Sequence, residues 1–405
     1  MNRTERSTAR ERLAGLDGIR GLAALFVVLH HCRLTSFPGF PYDTGPGWLS
    51  WLLYGHFAVV LFIVLSGFSL AVSPARSGWR VGGLRRFAAR RAWRILPPYW
   101  GALAFSLAVA WTLVPQPGEG APTLRSVVLY GLLLQDIAGS PSPNGAFWSI
   151  AVEAQLYLVF PIMILMLRRL GAMALLGIVT ALVAMIGLLS PAVPAVAALM
   201  RLTPQFAVLF ALGAVAAGVV TRPERSARPW PAVLAVAAAV PVVVLVVVNG
   251  SVWTIEHFFW IDLAVGPAAG LTLVAVATRR PAGLVRMLDA APIRALGRFS
   301  YSLYLTHAPI VVVLSTLVVA PRIGPGLPGF LVTAAVAVPA SLLFAWLFAA
   351  VLELPFQRHR SWSALRTAAK GRLSRWTGRS DVEAPADARP PVSVRPPAGD
   401  EAHRP

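Results

Sequence analysis

Few ionisable side chains fall within the long apolar stretches of this chain: Asp17, Arg20, His30, His31, His56, Glu153, Arg201, His257, Asp262, His307 and Glu353. A charge among hydrocarbon is costly, so each is a candidate for chemistry. The first stretch holds the densest set. Arg20 and His31 are eleven positions apart. At about 100° per residue that places both on one helix face, roughly 16 Å apart along the axis. Asp17 sits one turn before Arg20 and reads as a helix N-cap, with pairing to Arg20 as the alternative. His30 is rotated off the stripe by about 80–100°. A histidine at this depth can serve as base or nucleophile, and His31 is read in that role rather than as an interhelical hydrogen-bond donor. Arg20 reads either as its charged companion or as a snorkelling cation.

Glu153 lies about two turns into a later apolar run that opens with Phe147-Trp148-Ser149, and Tyr157 follows one turn on along the same face. Such a carboxylate could orient a histidine, hold an acceptor hydroxyl or pair with an arginine. His307, in Ser300-Tyr301-Ser302-Leu303-Tyr304-Leu305-Thr306-His307, is open between a second active-site histidine and a packing polar group. Ser66, in Leu65-Ser66-Gly67-Phe68, lacks the frame of a nucleophile elbow and reads as part of a close helix contact at small residues. Arg91 and Arg94 end a basic run that begins at Arg85 and share a helix face. Their forks suit phosphate oxygens, although membrane topology alone also puts arginines between spans. Arg201, His257 and Glu353 sit near stretch ends and read as interfacial. Asp262 has no motif around it. No phosphate-loop, dinucleotide or zinc-ligand spacing is present, so no metal is expected.

These residues need elements to carry them, and composition says which. Of 405 residues 57% are hydrophobic and 13% charged, against about a quarter charged in a soluble domain. With a mean hydropathy of +0.67, the chain reads as an all-α polytopic membrane protein. The net charge of +19 invites a nucleic-acid reading, but the arginines cluster between apolar stretches and at the ends, where membrane topology puts them. Cys32 is the one cysteine, which excludes a disulfide framework. Lys370 is the one lysine, and Ala, Val, Gly and Pro abound, a GC-rich coding bias that reads as bacterial.

Ten apolar windows suit spanning helices: 16–34, 52–73, 95–114, 146–167, 170–189, 199–220, 230–248, 257–278, 299–320 and 329–352. Arg3, Arg6, Arg10 and Arg12 put the N-terminus in the cytoplasm. Alternate loops then receive Arg76 to Arg94, Arg168 and Arg169, Arg222, Arg225 and Arg228, and Arg279 to Arg298, while the opposite loops hold only Arg33, Arg125 and Arg322. Ten crossings with both termini inside a plasma (inner) membrane satisfy this. Counting Leu124–Ile137 as an eleventh would invert later clusters, so that piece is expected to be a short re-entrant or interfacial helix. The expected organisation is a basic N-terminus over 1–13, a membrane domain over 14–356, and a tail over 357–405, basic and then Pro-rich. The tail is expected to be disordered, with its basic part a surface anchor for anionic membrane lipid.

Taken together these segments resemble the acyltransferase family 3 membrane O-acyltransferases. The pieces that carry the resemblance are Leu16-Asp17-Gly18-Ile19-Arg20-Gly21 with His31, then Leu61-Phe62-Ile63-Val64-Leu65-Ser66-Gly67-Phe68, and Arg91-Ala92-Trp93-Arg94-Ile95-Leu96-Pro97. Trp148-Ser149 through Glu153 to Tyr157, Ser300-Tyr301 to His307, and Glu353-Leu354-Pro355-Phe356 follow in the same order. Val60, Ala154 and Thr306 depart from residues frequent in the family. The resemblance implies transfer of an acyl group, acetyl above all, from acyl-CoA to a hydroxyl of a carbohydrate, lipid-linked sugar or macrolide-type acceptor, with no metal and no nucleic-acid partner. It implies His31 as base or acyl carrier with Arg20 and Glu153 beside it. It also implies Arg91 and Arg94 for the donor, with His307, Tyr157 and Ser66 toward substrate. The rival from another class is a proton-coupled transporter or flippase, which the lack of an internal repeat disfavours.

Overall fold

An apolar stretch of twenty residues in lipid can satisfy its backbone only internally, and the helix does so within one segment. A computed structural model describes residues 13–222, 230–359, 361 and 363–367, and among the described residues there is no strand. The helices, in order, are α1 (Leu16–Ser36), α2 (His56–Arg76), α3 (Leu84–Thr112), α4 (Leu124–Gly131), α5 (Trp148–Arg169), α6 (Ala172–Leu189), α7 (Pro194–Ala197) and α8 (Gln205–Val220). They continue as α9 (Trp230–Glu256), α10 (Phe258–Ala277), α11 (Ala282–Leu288), α12 (Ala291–Arg298), α13 (Ser300–Val313), α14 (Ala320–Ile323), α15 (Leu327–Phe348) and α16 (Leu354–Arg358). A π-helical turn, Leu314–Val319, joins α13 to α14, and another, Ala349–Glu353, joins α15 to α16.

By length and composition eight of these helical stretches can cross a membrane, and nine if the pair Pro194–Leu202 and Gln205–Val220, bent by 47°, counts as one span. The first apolar window is not among them, because α1 carries Asp17, Arg20, His30, His31 and Arg33. The arginine run and the third window are one continuous helix, α3, despite Pro97 and Pro98. Leu124–Ile137 yields only the eight residues of α4. Its first turn is closed by reciprocal bonds between Thr123 and Ser126. Two of its last carbonyls, Tyr130 O and Gly131 O, accept from the Tyr99 hydroxyl at 2.8 Å and the Trp100 indole at 2.9 Å, so α3 supplies the donors the short helix cannot.

Packing is closest where small residues let backbones meet. A Cβ on Gly67 of α2 would lie 2.1 Å from the Phe210 carbonyl of α8, and one on Gly213 would lie 1.9 Å from the Val64 carbonyl. The same holds between α12 and α1, where a Cβ on Gly297 would lie 2.0 Å from the Asp17 carbonyl. Around these contacts α1 is packed against α2, α12, α13 and α15. The chain divides into two units, 1–358 and 359–405; in the second, residues 363–367 are helical. The N-terminal arginines Arg3 to Arg12, Arg225 and Arg228, and the tail from residue 368 lie outside the described residues.

Candidate active site

A cavity of about 480 Å³ opens among α1, α2, α3, α5, α12, α13 and the α15–α16 junction. Five guanidinium-bearing residues line it: Arg20, Arg91, Arg94, Arg298 and Arg358. Asp17, Ser66, Glu153, Tyr157, Tyr301, Tyr304 and Glu353 share the lining. Arg20 reaches it from the second turn of α1, donating through Nη2 to Ser69 Oγ of α2 at 2.6 Å and through Nη1 to Asp17 Oδ1 at 3.4 Å. Asp17 is therefore a partner of Arg20 and not the N-cap; that position is Gly15, at φ 83°.

The other four arginines make no ion pair with a described residue. Arg91 Nε is in addition buried without a hydrogen-bond partner among the described residues. Guanidinium groups that line one cavity without a facing carboxylate reinforce one another's positive potential and present forks to an anion. This set therefore fits a ligand carrying several negative charges. Among the described residues no cluster of His, Cys, Asp and Glu could hold a metal ion.

Glu153, on α5, is held from two sides. Ser66 Oγ and Tyr157 OH each donate to its Oε1 at 2.5 Å, and the two hydroxyls are 3.2 Å apart. Its Oε2 accepts no hydrogen bond from a described residue. Close helix packing at this motif is the work of Gly67, while Ser66 faces the cavity as a donor to the carboxylate. Glu353, expected at an interface, is instead buried at 3% exposure. Its Oε2 accepts from the Ser302 amide at 3.1 Å and the Ser302 hydroxyl at 2.5 Å, and Gln357 donates to Oε1 at 2.8 Å. Ser302 is the third residue of α13, so the carboxylate takes up one of the orphan amides at that helix's N-terminus.

His31 does not line the cavity. Its Nδ1 lies 2.9 Å from the Val27 carbonyl and 3.2 Å from Nε2 of His307, with the two rings edge-on at 4.8 Å. His307, expected on the substrate, is fully buried and also outside the lining; its Nδ1 meets the carbonyls of Tyr304 at 2.9 Å and Leu303 at 3.1 Å. Tyr304 connects the two regions: it lines the cavity, bonds Ser149 Oγ at 2.6 Å, and its ring centroid is 5.9 Å from that of His307. Helix α1 thus brings Arg20 to the cavity and His31 to α13, and Glu153 contacts neither of them through a hydrogen bond.

Asp262, which had no sequence motif, is the partner of His56. The imidazole Nε2 lies 2.9 Å from both carboxylate oxygens, and Gln205 donates to Oδ2 at 3.2 Å. That ring is stacked between Phe258 at 4.0 Å and Trp148 at 5.7 Å. Neither residue lines the cavity. The sequence reading missed Arg298, Arg358 and Tyr301 as lining residues. Two of these had a signal, since Arg298 precedes the Ser300-Tyr301 segment and Arg358 closes the one that begins at Glu353.

The family model described as an acyltransferase domain, acyltransferase 3, matches residues 13–350. The chain belongs to the acyltransferase 3 family. A peptidoglycan O-acetyltransferase, OatA of Listeria monocytogenes, is 22% identical over 334 residues, covering 77% of this chain and 51% of its own. A putative membrane-bound transacylase, BcsY of Komagataeibacter xylinus, is 26% identical over 327 residues, covering 76% of this chain and 75% of its own. The putative peptidoglycan O-acetyltransferase YrhL of Bacillus subtilis is 28% identical over 162 residues, 37% of this chain and 23% of its own. The chain spans about half the length of the Listeria relative. No solved structure matches. Of the ionisable residues that line the cavity, all but Glu353 and Arg358 fall within the matched residues of this acyltransferase 3 chain.

Proposed function

We propose that this acyltransferase 3 chain is an integral membrane O-acyltransferase that moves an acyl group, acetyl first, from acyl-CoA to a hydroxyl of a carbohydrate. The observation that carries the donor is the arginine-lined cavity, in which Arg91, Arg94, Arg298 and Arg358 make no ion pair, and Arg91 Nε no hydrogen bond, with a described residue. The pyrophosphate and 3′-phosphate of CoA supply the negative charges such a wall is built to receive. The carbohydrate acceptor follows the similarity to peptidoglycan O-acetyltransferases. No observation favours a macrolide-type acceptor or a transported substrate.

A thioester is already activated, so the protein's work is to hold its carbonyl and deprotonate an alcohol beside it. In this proposal the CoA phosphates dock on Arg91, Arg94, Arg298 and Arg358, and the pantetheine arm runs past Arg20 toward Tyr304. His31 takes the acceptor's hydroxyl proton, the oxygen attacks the thioester carbon, and the carbon–sulfur bond breaks. The thiolate leaves with the proton that His31 accepted. Glu153 acts through its open Oε2, on a hydroxyl or amide of either substrate, and not by orienting His31. Ten crossings, with α1 as the first, and both termini in the cytoplasm complete the proposal and put the arginine end of the cavity on the side where acyl-CoA is found.

The test is release of free CoA from acetyl-CoA by membranes holding the protein, with cell-envelope extract as acceptor, against His31→Gln at matched expression. Release that needs both acceptor and His31 is the expected result. Full transfer by a folded His31→Gln protein would remove His31 from the chemistry.

A further inference from the structure

The hydrogen bonds around the histidine pair determine which nitrogen carries each proton. A carbonyl oxygen can only accept, so a ring nitrogen within bonding distance of one must be the N–H. His307 Nδ1 faces two carbonyls, of Leu303 and Tyr304, and is therefore protonated. In the neutral ring its Nε2 is then a bare lone pair, and that lone pair is aimed at His31 Nδ1 from 3.2 Å. His31 Nδ1 also faces the Val27 carbonyl at 2.9 Å. Two acceptors converge on one nitrogen, so the proton of neutral His31 resides on Nδ1. Its Nε2 is left as a lone pair that no described residue hydrogen-bonds, on a ring that is half-buried and not sealed.

We propose that His307 is a positioning residue that, together with the Val27 carbonyl, holds His31 in the Nδ1–H tautomer and orients its ring, so that Nε2 is the atom that takes the acceptor's proton. This rests on the reading of the chain as an O-acyltransferase with His31 as base. His307 occupies the place that a buried carboxylate fills behind the histidine of a serine hydrolase, but as a neutral acceptor. That choice suits the surroundings. Ala24, Val28, Cys32, Leu303 and Val311 form the buried apolar packing around this part of α1 and α13, where an isolated carboxylate would be penalised more than an imidazole. When Nε2 captures the hydroxyl proton, the O–H bond is exchanged for an Nε2–H bond. The new imidazolium then already donates Nδ1–H to His307 and to Val27. When the thiolate departs it takes the Nε2 proton, and both rings return to their starting state. His30 Nδ1 likewise faces a carbonyl, that of Leu52 at 2.7 Å, but of the two neighbouring histidines it is His31 that also meets His307.

Two measurements test this. In the full-length protein labelled with 15N-histidine, the His31 signals, identified by their loss in His31→Gln, report the tautomer without any turnover. Nδ1 protonated and Nε2 bare is the expected pattern; a dominant Nε2–H tautomer overturns the proposal. In the activity assay His307→Gln keeps an acceptor oxygen near the Nε2 position and should retain transfer within a few-fold. His307→Leu, similar in bulk with no acceptor, leaves the Val27 carbonyl as the one acceptor on Nδ1 and should lower kcat by about tenfold with KM for acetyl-CoA unchanged. A folded Leu variant with wild-type kcat, or a Gln variant no better than Leu, also overturns it. If the wild-type protein shows the Nδ1–H tautomer yet consumes no acyl-CoA with any acceptor, the enzyme reading fails while the tautomer assignment stands.

Discussion

The hydroxyl of Ser66 on α2 donates to Glu153 Oε1 on α5, at the same 2.5 Å as the hydroxyl of Tyr157. One carboxylate oxygen thus ties two helices together and leaves the other oxygen free for a ligand. A hydrogen bond to a charged group contributes about 1.5–3 kcal/mol, and a half-buried carboxylate with no donor costs at least as much. Ser66→Ala or Tyr157→Phe alone leaves one donor, whereas the double variant leaves none. Thermal unfolding of the four proteins in one detergent should give a coupling of about 0.5 kcal/mol or more, with the double variant worse than the sum. Simple additivity would mean the two hydroxyls act independently.

Arg298 and Arg358 line the cavity and make no ion pair with a described residue. If they hold donor phosphates, Arg298→Ala and Arg358→Ala should each raise KM for acetyl-CoA by about tenfold, since about 1.4 kcal/mol is a factor of ten, and should leave kcat nearly unchanged. The same variants should lose their defect when the donor is a short acyl-pantetheine without phosphates. A fall in kcat with an unchanged KM would place these arginines elsewhere in the reaction.

The His56–Asp262 pair lies outside the cavity and ties α2 to α10. Asp262 is fully buried, and removing one partner of a buried pair typically costs about 3–5 kcal/mol. His56→Leu is expected to lower the unfolding temperature strongly while the transfer rate per folded molecule stays at the wild-type value. Loss of rate in protein that remains folded would assign the pair to catalysis.

Asp136 lies in the turn region after α4, where burial pushes its carboxyl up to about 6, with the Gln155 amide at 3.3 Å opposing the shift. A carboxyl raised in the folded state favours the neutral form. Its contribution to stability is complete below the ordinary carboxylate range and is lost as pH rises through about 6. Asp136→Asn should therefore raise the unfolding temperature at about pH 8 and change it little at about pH 4.5. Equal effects at both pH values would show that the ionised form carries no penalty.

Apolar length and arginine spacing made the helical stretches legible, because a long apolar run has one way to satisfy its backbone and a basic loop marks its end. The local pair of Asp17 and Arg20, three residues apart, was open to the sequence only as the alternative to an N-cap, because both roles suit an aspartate in the first turn. What stayed hidden is set by distance along the chain. Glu353 meets Ser302 across 51 positions and Asp262 meets His56 across 206, so no window around either residue carries the signal. The stripe joining Arg20 to His31 is one helix face, but its two ends meet different partners. A helix this long has different neighbours at different heights, α2 beside Arg20 and α13 beside His31. Glu153 was legible as a buried carboxylate, but which of its three possible roles it fills depends on the hydroxyls of Ser66 and Tyr157 that reach it.

The contact of Gly67 with Gly213's helix has a mechanical consequence. Backbone against backbone leaves no side chain to compress, so α2 and α8 can neither slide nor separate without opening a void. Ser66 and Ser69 therefore stand on a stiff plate, and Arg20 and Glu153 are referenced to it. The opposite wall is made differently: Glu353 sits in a π-helical turn and is held there by hydrogen bonds from Ser302 and Gln357 rather than by backbone contact. A substitution that opened the Gly67 contact would therefore displace the partners of Arg20 and Glu153 together.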